Sequence, residues 1–299
     1  MAFATATPEV LAGGDRDRSF HEDAFARAQI GLDHQVWWDP DVEWERYDMV
    51  VIRSPWDYVE RLEEFRAWLD RVGGLGSLHN PAALVRWNLD KRYLLELGSR
   101  GVPVIPTRLA TSEAEVVAVL RSATGEVVVK PTVSAGGRHT GRFAAGDGRA
   151  SALARLILAE GTPVMIQPSI GSVATEGERG AVLFDGVVSH SFARGAILGP
   201  GGTHLGAEHT DRAWPTALDD RHLEVVEEVM ATVIQLGAAR FGLTGPPLYA
   251  RVDLVTLDDG QVVVLEVELA EPSFFLSADP GSADRFASAV LGRLADRAG

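Results

Sequence analysis

The chain contains no cysteine among its 299 residues. Disulfide bonds, thiolate metal ligands and cysteine nucleophiles are therefore excluded. The sequence also lacks an apolar run of transmembrane length, and its start, Met1-Ala2-Phe3-Ala4-Thr5, has neither the basic segment nor the long apolar core of a signal peptide. These absences predict a soluble protein of the cytoplasm with no membrane partner.

Positive charge is scarce, since 28 lysines and arginines stand against 42 acidic residues and give a net charge of −14. A nucleic-acid partner held by phosphate contacts needs clustered basic residues, so this balance predicts none. A local basic pocket for a small phosphorylated ligand stays possible. The composition, 46% hydrophobic and 23% charged, is that of a globular protein with one large domain or a few subdomains.

The segment from Leu248 to Pro272 predicts a β-hairpin. Two runs rich in valine and leucine flank Asp259 and Gly260, a dipeptide suited to a two-residue type I′ turn. Side chains alternate between the two faces of such a hairpin. With this turn, one face is apolar and fit for a core, and it carries Val252, Leu254, Leu265 and Val267.

Charged side chains fall on the other face of this hairpin. In that register Asp253 lies opposite Glu266, and Arg251 lies opposite Glu268. Three carboxylates on one face repel one another unless a cation neutralises them, and one arginine does not balance three acids. Carboxylate-rich sites suit Mg²⁺ or Mn²⁺, whose further ligands are often substrate phosphates. The pattern favours a metal site; the alternatives are a solvated edge hairpin and a structural Ca²⁺ site.

Strand-like and helix-like segments alternate over residues 1–80, which predicts a small parallel α/β domain. Its most apolar strand ends at Arg53. Because ligands of such sheets bind beyond the carboxyl ends of strands, Arg53 is a candidate to hold a substrate carboxylate, and Ser54 and Asp57 are candidates to orient an amine. The alternative is a loop held down by its aromatic residues, with Arg53 paired to Asp57.

Two lysines stand at places suited to an anion. Lys130 ends a valine-rich strand and is followed by Ser134–Gly141, a loop of small residues whose backbone amides can approach an anion closely. Glycine-rich loops alone are more often flexible turns, and no G-x-x-x-x-G-K-[ST] pattern occurs in the chain. Lys91 is expected in the first turn of a helix, whose amino end is already electropositive. The alternative to a role in anion binding is a solvated side chain.

Taken together, these stretches resemble the ATP-grasp superfamily of carboxylate–amine ligases. The matching features follow the family's order: Lys91 in N-L-D-K-R-Y-L, Lys130 in V-V-V-K-P, the loop Ser134–Gly141, the hinge Val164–Gln167, and R-V-D with L-E-V-E. Within the superfamily the chain is similar to the cyclo-ligases that form D-cycloserine from O-ureido-D-serine. The segments R-S-P-W-D-Y, R-W-N-L-D-K and E-V-E-L-A-E-P-S carry this likeness.

The resemblance implies an ATP-grasp fold, α/β overall and α+β in the C-terminal half. The implied parts are an N-terminal parallel α/β domain on the substrate side (1–80) and a linker of one helix and an extended segment (81–108). A small lid subdomain (109–166) and a core subdomain with an antiparallel sheet and the metal site (167–299) follow. The nucleotide would lie between the last two, with the lid closing over it.

The resemblance also implies a set of site residues. Those for ATP are Lys91, Lys130, Ser134, Ala135, Gly136, Gly137, Gln167, Pro168, Ser169, Ile170 and Glu176, with Glu178 the rival of Glu176 at the ribose. Asp253, Glu266 and Glu268 would bind two Mg²⁺, for which Mn²⁺ is a possible substitute. Arg251 and Arg194 are the implied catalytic residues, and Arg53, Ser54, Asp57 and Ser273 face the substrate. Many superfamily members have asparagine where Glu268 stands.

The implied reaction is ATP-dependent activation of a carboxylate as an acyl phosphate, which a nitrogen of the same amino-acid-like molecule then attacks. The alternatives are a ligase joining two substrates, a small-molecule kinase, and a regulator that only binds nucleotide or metal. A homo-oligomer is possible through Trp37, Trp38 and Trp44, for which core packing is the alternative. The handedness of the substrate and the roles of His139, His204 and His209 stay open.

Overall fold

The computed structural model describes residues 1–11, 15–196, 198 and 213–298. His204 and His209 lie outside the described residues. In the described ranges the strands form three sheets, two of four strands and one of five. No helix in the described part of the chain is long and apolar enough to cross a membrane.

The N-terminal part is a parallel sheet flanked by helices. Its elements are β1 (Ala2–Thr5), α1 (Pro8–Leu11), α2 (Arg18–Arg27), β2 (Asp33–Val36), β3 (Val50–Ser54), α3 (Leu62–Gly73) and β4 (Leu78–His79). The strand order is β2-β1-β3-β4, and every pairing is parallel. All residues of β3 are buried, as its unbroken apolar run predicts. The predicted parallel α/β architecture is confirmed.

A linker of two short helices, α4 (Ala82–Leu89) and α5 (Tyr93–Ser99), leads out of this part. Lys91 lies between the two helices rather than in the first turn of one, so that expectation was wrong. The prolines that follow force an extended backbone. This segment pairs with the core sheet: Ile105 N donates to Val264 O at 2.9 Å, and Val264 N donates to Pro103 O at 2.8 Å.

The next unit, the lid, is an antiparallel sheet covered by two helices. It contains β5 (Arg108–Ala110), α6 (Glu113–Ser122), β6 (Glu126–Pro131), β7 (Gly141–Ala144), α7 (Gly148–Ala159) and β8 (Val164–Pro168). The strand order is β5-β8-β6-β7. Ser112 caps α6 by accepting from Glu115 N, and Asp147 caps α7 by accepting from Arg149 N. Lys130 therefore sits near the end of a central strand of this sheet.

The C-terminal part, the core subdomain, is built on a five-stranded antiparallel sheet. It contains α8 (Gly171–Thr175), β9 (Glu178–Phe184), β10 (Val187–Arg194), β11 (Ala213–Pro215), α9 (Asp220–Arg240), β12 (Tyr249–Thr256), β13 (Val262–Glu268) and α10 (Ser282–Ala298). The strand order is β11-β10-β9-β12-β13. This arrangement confirms the predicted α+β character of the C-terminal half.

The turn between β12 and β13 differs from the prediction. Leu257 N donates to Gln261 O at 2.8 Å, so the loop contains the three residues Asp258–Gly260 instead of two. Gly260 has φ +84°, a left-handed value that glycine adopts without strain. A β-bulge between Asp253 and Leu254 absorbs the shift. The two-residue turn was therefore wrong, although the register at Asp253 is the predicted one.

An aromatic cluster joins the N-terminal part to the core subdomain. His21 lies among four phenylalanines, with ring centroids 5.2 Å from Phe3, 6.1 Å from Phe25, 5.7 Å from Phe274 and 5.4 Å from Phe286. Neither ring nitrogen of His21 has a hydrogen-bond partner in the described part of the chain. Burial, aided by nearby Arg53, holds the pKa of His21 well below its usual value.

His21 is expected to make the protein less stable in acid. Because its pKa is lowered on folding, the unfolded chain binds more protons below about pH 6.5, and stability falls as the pH falls. We expect His21→Phe to lose less free energy of unfolding than the wild type between neutral pH and about pH 5.5, measured in urea at both pH values. Equal losses in the two proteins would contradict the prediction.

Candidate active site

A cavity of about 640 Å³ lies where the linker, the lid and the core subdomain meet. Every residue predicted to bind ATP lines it except Glu176: Lys91, Lys130, Ser134, Ala135, Gly136, Gly137, Gln167, Pro168, Ser169 and Ile170. Glu176 is exposed and lies off the cavity. Its rival Glu178 lines the cavity and accepts a hydrogen bond from Arg194 Nε at 2.7 Å.

One end of the cavity has apolar walls. Ile105, Ile170, Val173 and Leu265 line it there and belong to one apolar cluster. Leu265 was predicted on the core face of the hairpin, but the bulge leaves it without a strand partner and turns it toward the cavity. Gln167 donates from Nε2 to Thr107 Oγ1 at 2.9 Å, which fixes its side chain. This end suits a flat aromatic group.

Two lysines bring positive charge to the cavity. Lys91 Nζ donates to Ser134 O at 3.0 Å and forms an ion pair of 2.9 Å with Glu266. Lys130 is buried, and burial lowers its pKa. Its ammonium group has no hydrogen bond or ion pair in the part of the chain that the structure describes. A buried cation without a partner is a site for an anion.

The hairpin places the predicted metal ligands at two depths. Asp253 pairs with Glu266 and Arg251 with Glu268, as predicted. Glu266 and Glu268 line the cavity, whereas Asp253 has no exposed surface and does not line it. The oxygens of Asp253 accept from Arg251 Nε and Nη2, at 2.9 Å and 3.0 Å, and from Arg194 Nη2 at 2.9 Å. Asp253 thus orients both predicted catalytic arginines.

The pKa values of the two glutamates are shifted in opposite directions. Burial raises the pKa of Glu268 to about 8; Arg251, its ion-pair partner, lowers it, and the neighbouring carboxylates add to the rise. Burial alone would raise the pKa of Glu266, but Lys91 and Lys130 outweigh it and lower the pKa to about 2. Two adjacent carboxyl groups that face the cavity offer the hard oxygen ligands that a divalent cation such as Mg²⁺ takes.

A complete three-carboxylate metal site is not assembled. Within residues 1–11, 15–196, 198 and 213–298, no three histidine or acidic side chains stand around one point that an ion could occupy. Asp253 uses its oxygens on arginines, which leaves Glu266 and Glu268 as the cavity-facing pair. Phosphate oxygens and water commonly complete the shell of Mg²⁺ in nucleotide sites.

Three of the four predicted substrate residues lie away from the cavity. Ser273 lines it, whereas Arg53, Ser54 and Asp57 do not. Arg53 is 2% exposed, donates to Pro272 O at 2.8 Å and lies over the ring of Phe274. Ser54 donates to Asp15, and Asp57 accepts from the indoles of Trp37 and Trp38.

The alternative interpretation, a loop held down by aromatic residues, therefore describes this segment better. Only the expected partner of Arg53 was wrong. Aromatic residues do hold Asp57, but Arg53 forms its ion pair with Asp17, at 3.6 Å, and not with Asp57. Trp37 and Trp44 are core residues, each 1% exposed. Trp38 is 36% exposed.

One acidic residue that lines the cavity, Glu271, was not predicted from the sequence. Glu271 lines it together with Trp56 and Tyr58. It lies beyond the end of β13, where alternation along a strand no longer predicts which way a side chain points. Its only signal is a third glutamate in the segment E-V-E-L-A-E-P-S.

Comparison with known proteins gives consistent results. Residues 1–80 match the family described as D-cycloserine synthetase DcsG, N-terminal domain. The chain is 39% identical over 280 residues to the cycloserine biosynthesis protein DcsG of Streptomyces lavendulae, covering 89% of this chain and 90% of that protein.

Two solved structures are similar over nearly the whole chain. The crystal structure of D-cycloserine synthetase DcsG has a TM-score of 0.89 at 36% identity and covers 98% of this chain and 100% of its own. A RimK domain ATP-grasp protein from Sphaerobacter thermophilus has a TM-score of 0.69 at 17% identity, with coverage of 98% and 100%, and shares the fold. The chain belongs to the D-cycloserine synthetase DcsG family and is an ATP-dependent ligase of the ATP-grasp fold.

Proposed function

We propose that this ligase closes the ring of D-cycloserine from O-ureido-D-serine, an amino-acid-like small molecule, in antibiotic biosynthesis. The observation that carries the proposal is the shared cavity. It combines two buried lysines, a loop of backbone amides and two adjacent glutamates, in a chain that belongs to the D-cycloserine synthetase DcsG family. Binding alone does not need this combination, whereas phosphoryl transfer does.

In this proposal ATP lies with its adenine at the apolar end and its phosphates at the lysines. The backbone of Gln167–Ile170 meets the adenine edge, between Ile105 and Leu265. Lys91 and Lys130 neutralise the phosphates, and the amides of the Ser134–Gly137 loop cover them. The support is that these residues line one cavity, with Lys130 buried and unpaired in the described structure.

Glu266 and Glu268 are the proposed ligands of two Mg²⁺, with Mn²⁺ as a possible substitute. Mg²⁺ would neutralise the β- and γ-phosphate oxygens and help align them. Lys91 and Arg251, the present partners of the two glutamates, would then turn toward the phosphates. Asp253 is proposed to act from behind by holding the guanidinium groups of Arg194 and Arg251 in place.

The chemistry requires an activated carboxylate. A carboxylate is a poor electrophile because its leaving group would be oxide, so transfer of the γ-phosphoryl group to one oxygen supplies phosphate as the leaving group. The ureido-oxy nitrogen attacks the acyl carbon, the C–O bond to phosphate breaks, and the carbamoyl group is lost to water. Arg194 and Arg251 stabilise the oxyanion, and closure within one molecule spares the entropy of joining two reactants.

The test is incubation of the purified protein with ATP, Mg²⁺ and O-ureido-D-serine, with phosphate release and product mass followed together. We expect ADP, phosphate and the cyclised product, and no phosphate without the substrate. A stable phosphorylated product would favour the kinase alternative. Turnover only with a second amine would favour a two-substrate ligase, and no ATP turnover with any amino acid would contradict the proposal.

We also propose that the protein is cytoplasmic and that it forms a homo-oligomer. Trp37 and Trp44 do not contribute to an oligomer interface, because they are buried in the N-terminal core. The elution mass of the protein by light scattering measures the oligomeric state, and a monomer would contradict that part of the proposal.

A further inference from the structure

Glu271 is the one cavity-lining glutamate without a cationic partner in the described part of the chain. The other three form ion pairs: Glu178 with Arg194, Glu266 with Lys91, and Glu268 with Arg251. Glu271 forms none, and Lys91, the cation that acts on it, is already paired with Glu266. A carboxylate in a cavity without a partner is costly unless a ligand supplies the positive charge.

The backbone that carries Glu271 is fixed on all sides. Five consecutive carbonyls, from Leu269 to Ser273, each accept a hydrogen bond from a different side chain. The donors are, in order, Asn80 at 2.9 Å, the Tyr249 hydroxyl at 2.8 Å, the Trp56 indole at 3.4 Å, Arg53 at 2.8 Å and Arg251 at 3.0 Å. Such anchoring fixes the backbone from which the Glu271 side chain extends into the cavity.

The surroundings of the Glu271 carboxylate suit an organic cation. Burial raises its pKa, and the neighbouring Tyr58 hydroxyl opposes that rise. Trp56 and Tyr58 line the cavity beside it. In the described residues, Glu271 does not stand with two other histidine or acidic side chains around a common point that an ion could occupy. Aromatic rings and one carboxylate are suited to an ammonium group.

We infer that Glu271 binds the α-ammonium group of the substrate. The inference rests on the proposed function for the identity of the substrate. Glu266 and Glu268 lie among the last residues of β13, and Glu271 follows in the next loop. A substrate held at Glu271 would therefore lie beside the proposed metal ligands, with its α-carboxylate near the phosphates. The amino group is thereby used for orientation and takes no part in the bonds that form or break.

The test compares two substrates in two proteins. One substrate is O-ureido-D-serine, and the other is its deamino analogue, 3-(ureidooxy)propanoate, which can cyclise but has no ammonium group. We expect Glu271→Gln to lower kcat/KM for O-ureido-D-serine about 100-fold and to change that for the analogue by no more than about threefold. The Kd of Mg·ATP, measured by calorimetry, should stay unchanged. Glu60→Gln, the same change at an exposed glutamate of the N-terminal part, should have no effect.

Equal losses on both substrates would overturn the inference, because a structural or chemical role of Glu271 does not depend on the ammonium group. A wild-type protein that does not cyclise O-ureido-D-serine would instead overturn the proposed function. In that case calorimetry of D-serine and 3-hydroxypropanoate, with a non-hydrolysable ATP analogue bound, tests the subsite separately. Preference for D-serine that is lost in Glu271→Gln supports it, and the absence of such a preference in the wild type overturns it.

Discussion

Glu266→Gln is expected to abolish ATP-dependent turnover, lowering kcat/KM by about 10³-fold or more. Glu266 faces the cavity, and Lys91 and Lys130 keep it ionised by lowering its pKa to about 2. The amide has nearly the same shape but removes the charge that a divalent cation requires. It also leaves Lys91 without its ion-pair partner, so the positions of both the metal and the phosphates are lost together.

The measurement is steady-state phosphate release over a titration of MgCl₂, with the urea midpoint as a check on folding. Asp258→Asn is the matched control, because Asp258 is an exposed carboxylate at the tip of the same hairpin and lies off the cavity. It should retain the wild-type rate. If Glu266→Gln folds and turns over at a rate comparable to Asp258→Asn, the hairpin is not the metal-binding element.

The sequence predicted the pairing of Asp253 with Glu266 correctly, but it predicted neither the length of the loop nor the bulge. Alternating charge placed Asp253 opposite Glu266, and the structure agrees. However, the loop has three residues, and a bulge compensates for the additional one. Because β13 begins with consecutive valines, its apolar pattern is the same with or without a bulge. The sequence pattern therefore gives no sign of one. Leu265, which the bulge turns into the cavity, was misplaced for this reason.

Residues whose roles depend on contacts distant in sequence were harder to predict. Arg53 lies near the end of the buried strand β3, a place where ligands often bind. However, its guanidinium group donates to Pro272 O in the loop that follows β13. The same loop brings Glu271 into the cavity. These contacts join positions about 200 residues apart, and a strand pattern does not report them. In contrast, Lys130 and its loop were predictable, since strand, lysine and glycines are adjacent.

The alternating pattern of the hairpin also did not reveal how deeply each carboxylate is buried. Alternation puts Asp253 on the same face as the two glutamates, but β12 is flanked by β9 and β13, whereas β13 lies at the edge of the sheet. A side chain on the inner strand is covered by its neighbours. Asp253 consequently contacts Arg194 from β10 as well as Arg251, which sequence spacing could not indicate.

Asp253→Asn is expected to lower the free energy of unfolding by about 3 kcal/mol and to remove activity. Removing one partner of a buried ion pair leaves the other charge uncompensated, at a cost of about 3–5 kcal/mol. Asp253 neutralises two buried arginines at once, through bonds of 2.9–3.0 Å, and both arginines are under 10% exposed. Asparagine keeps the shape, so packing stays nearly constant and the lost charge dominates.

The matched control for this prediction is Asp185→Asn. Asp185 forms an ion pair with Arg293 near the turn between β9 and β10, where its side chain is 47% exposed. Solvent-exposed pairs contribute about 0–1 kcal/mol, so this control should lose less than about 1 kcal/mol. Urea unfolding of both variants gives the comparison. Similar losses in the two would mean that Glu178 and Glu268 already compensate both arginines, and Asp253 would then not be the residue that holds them.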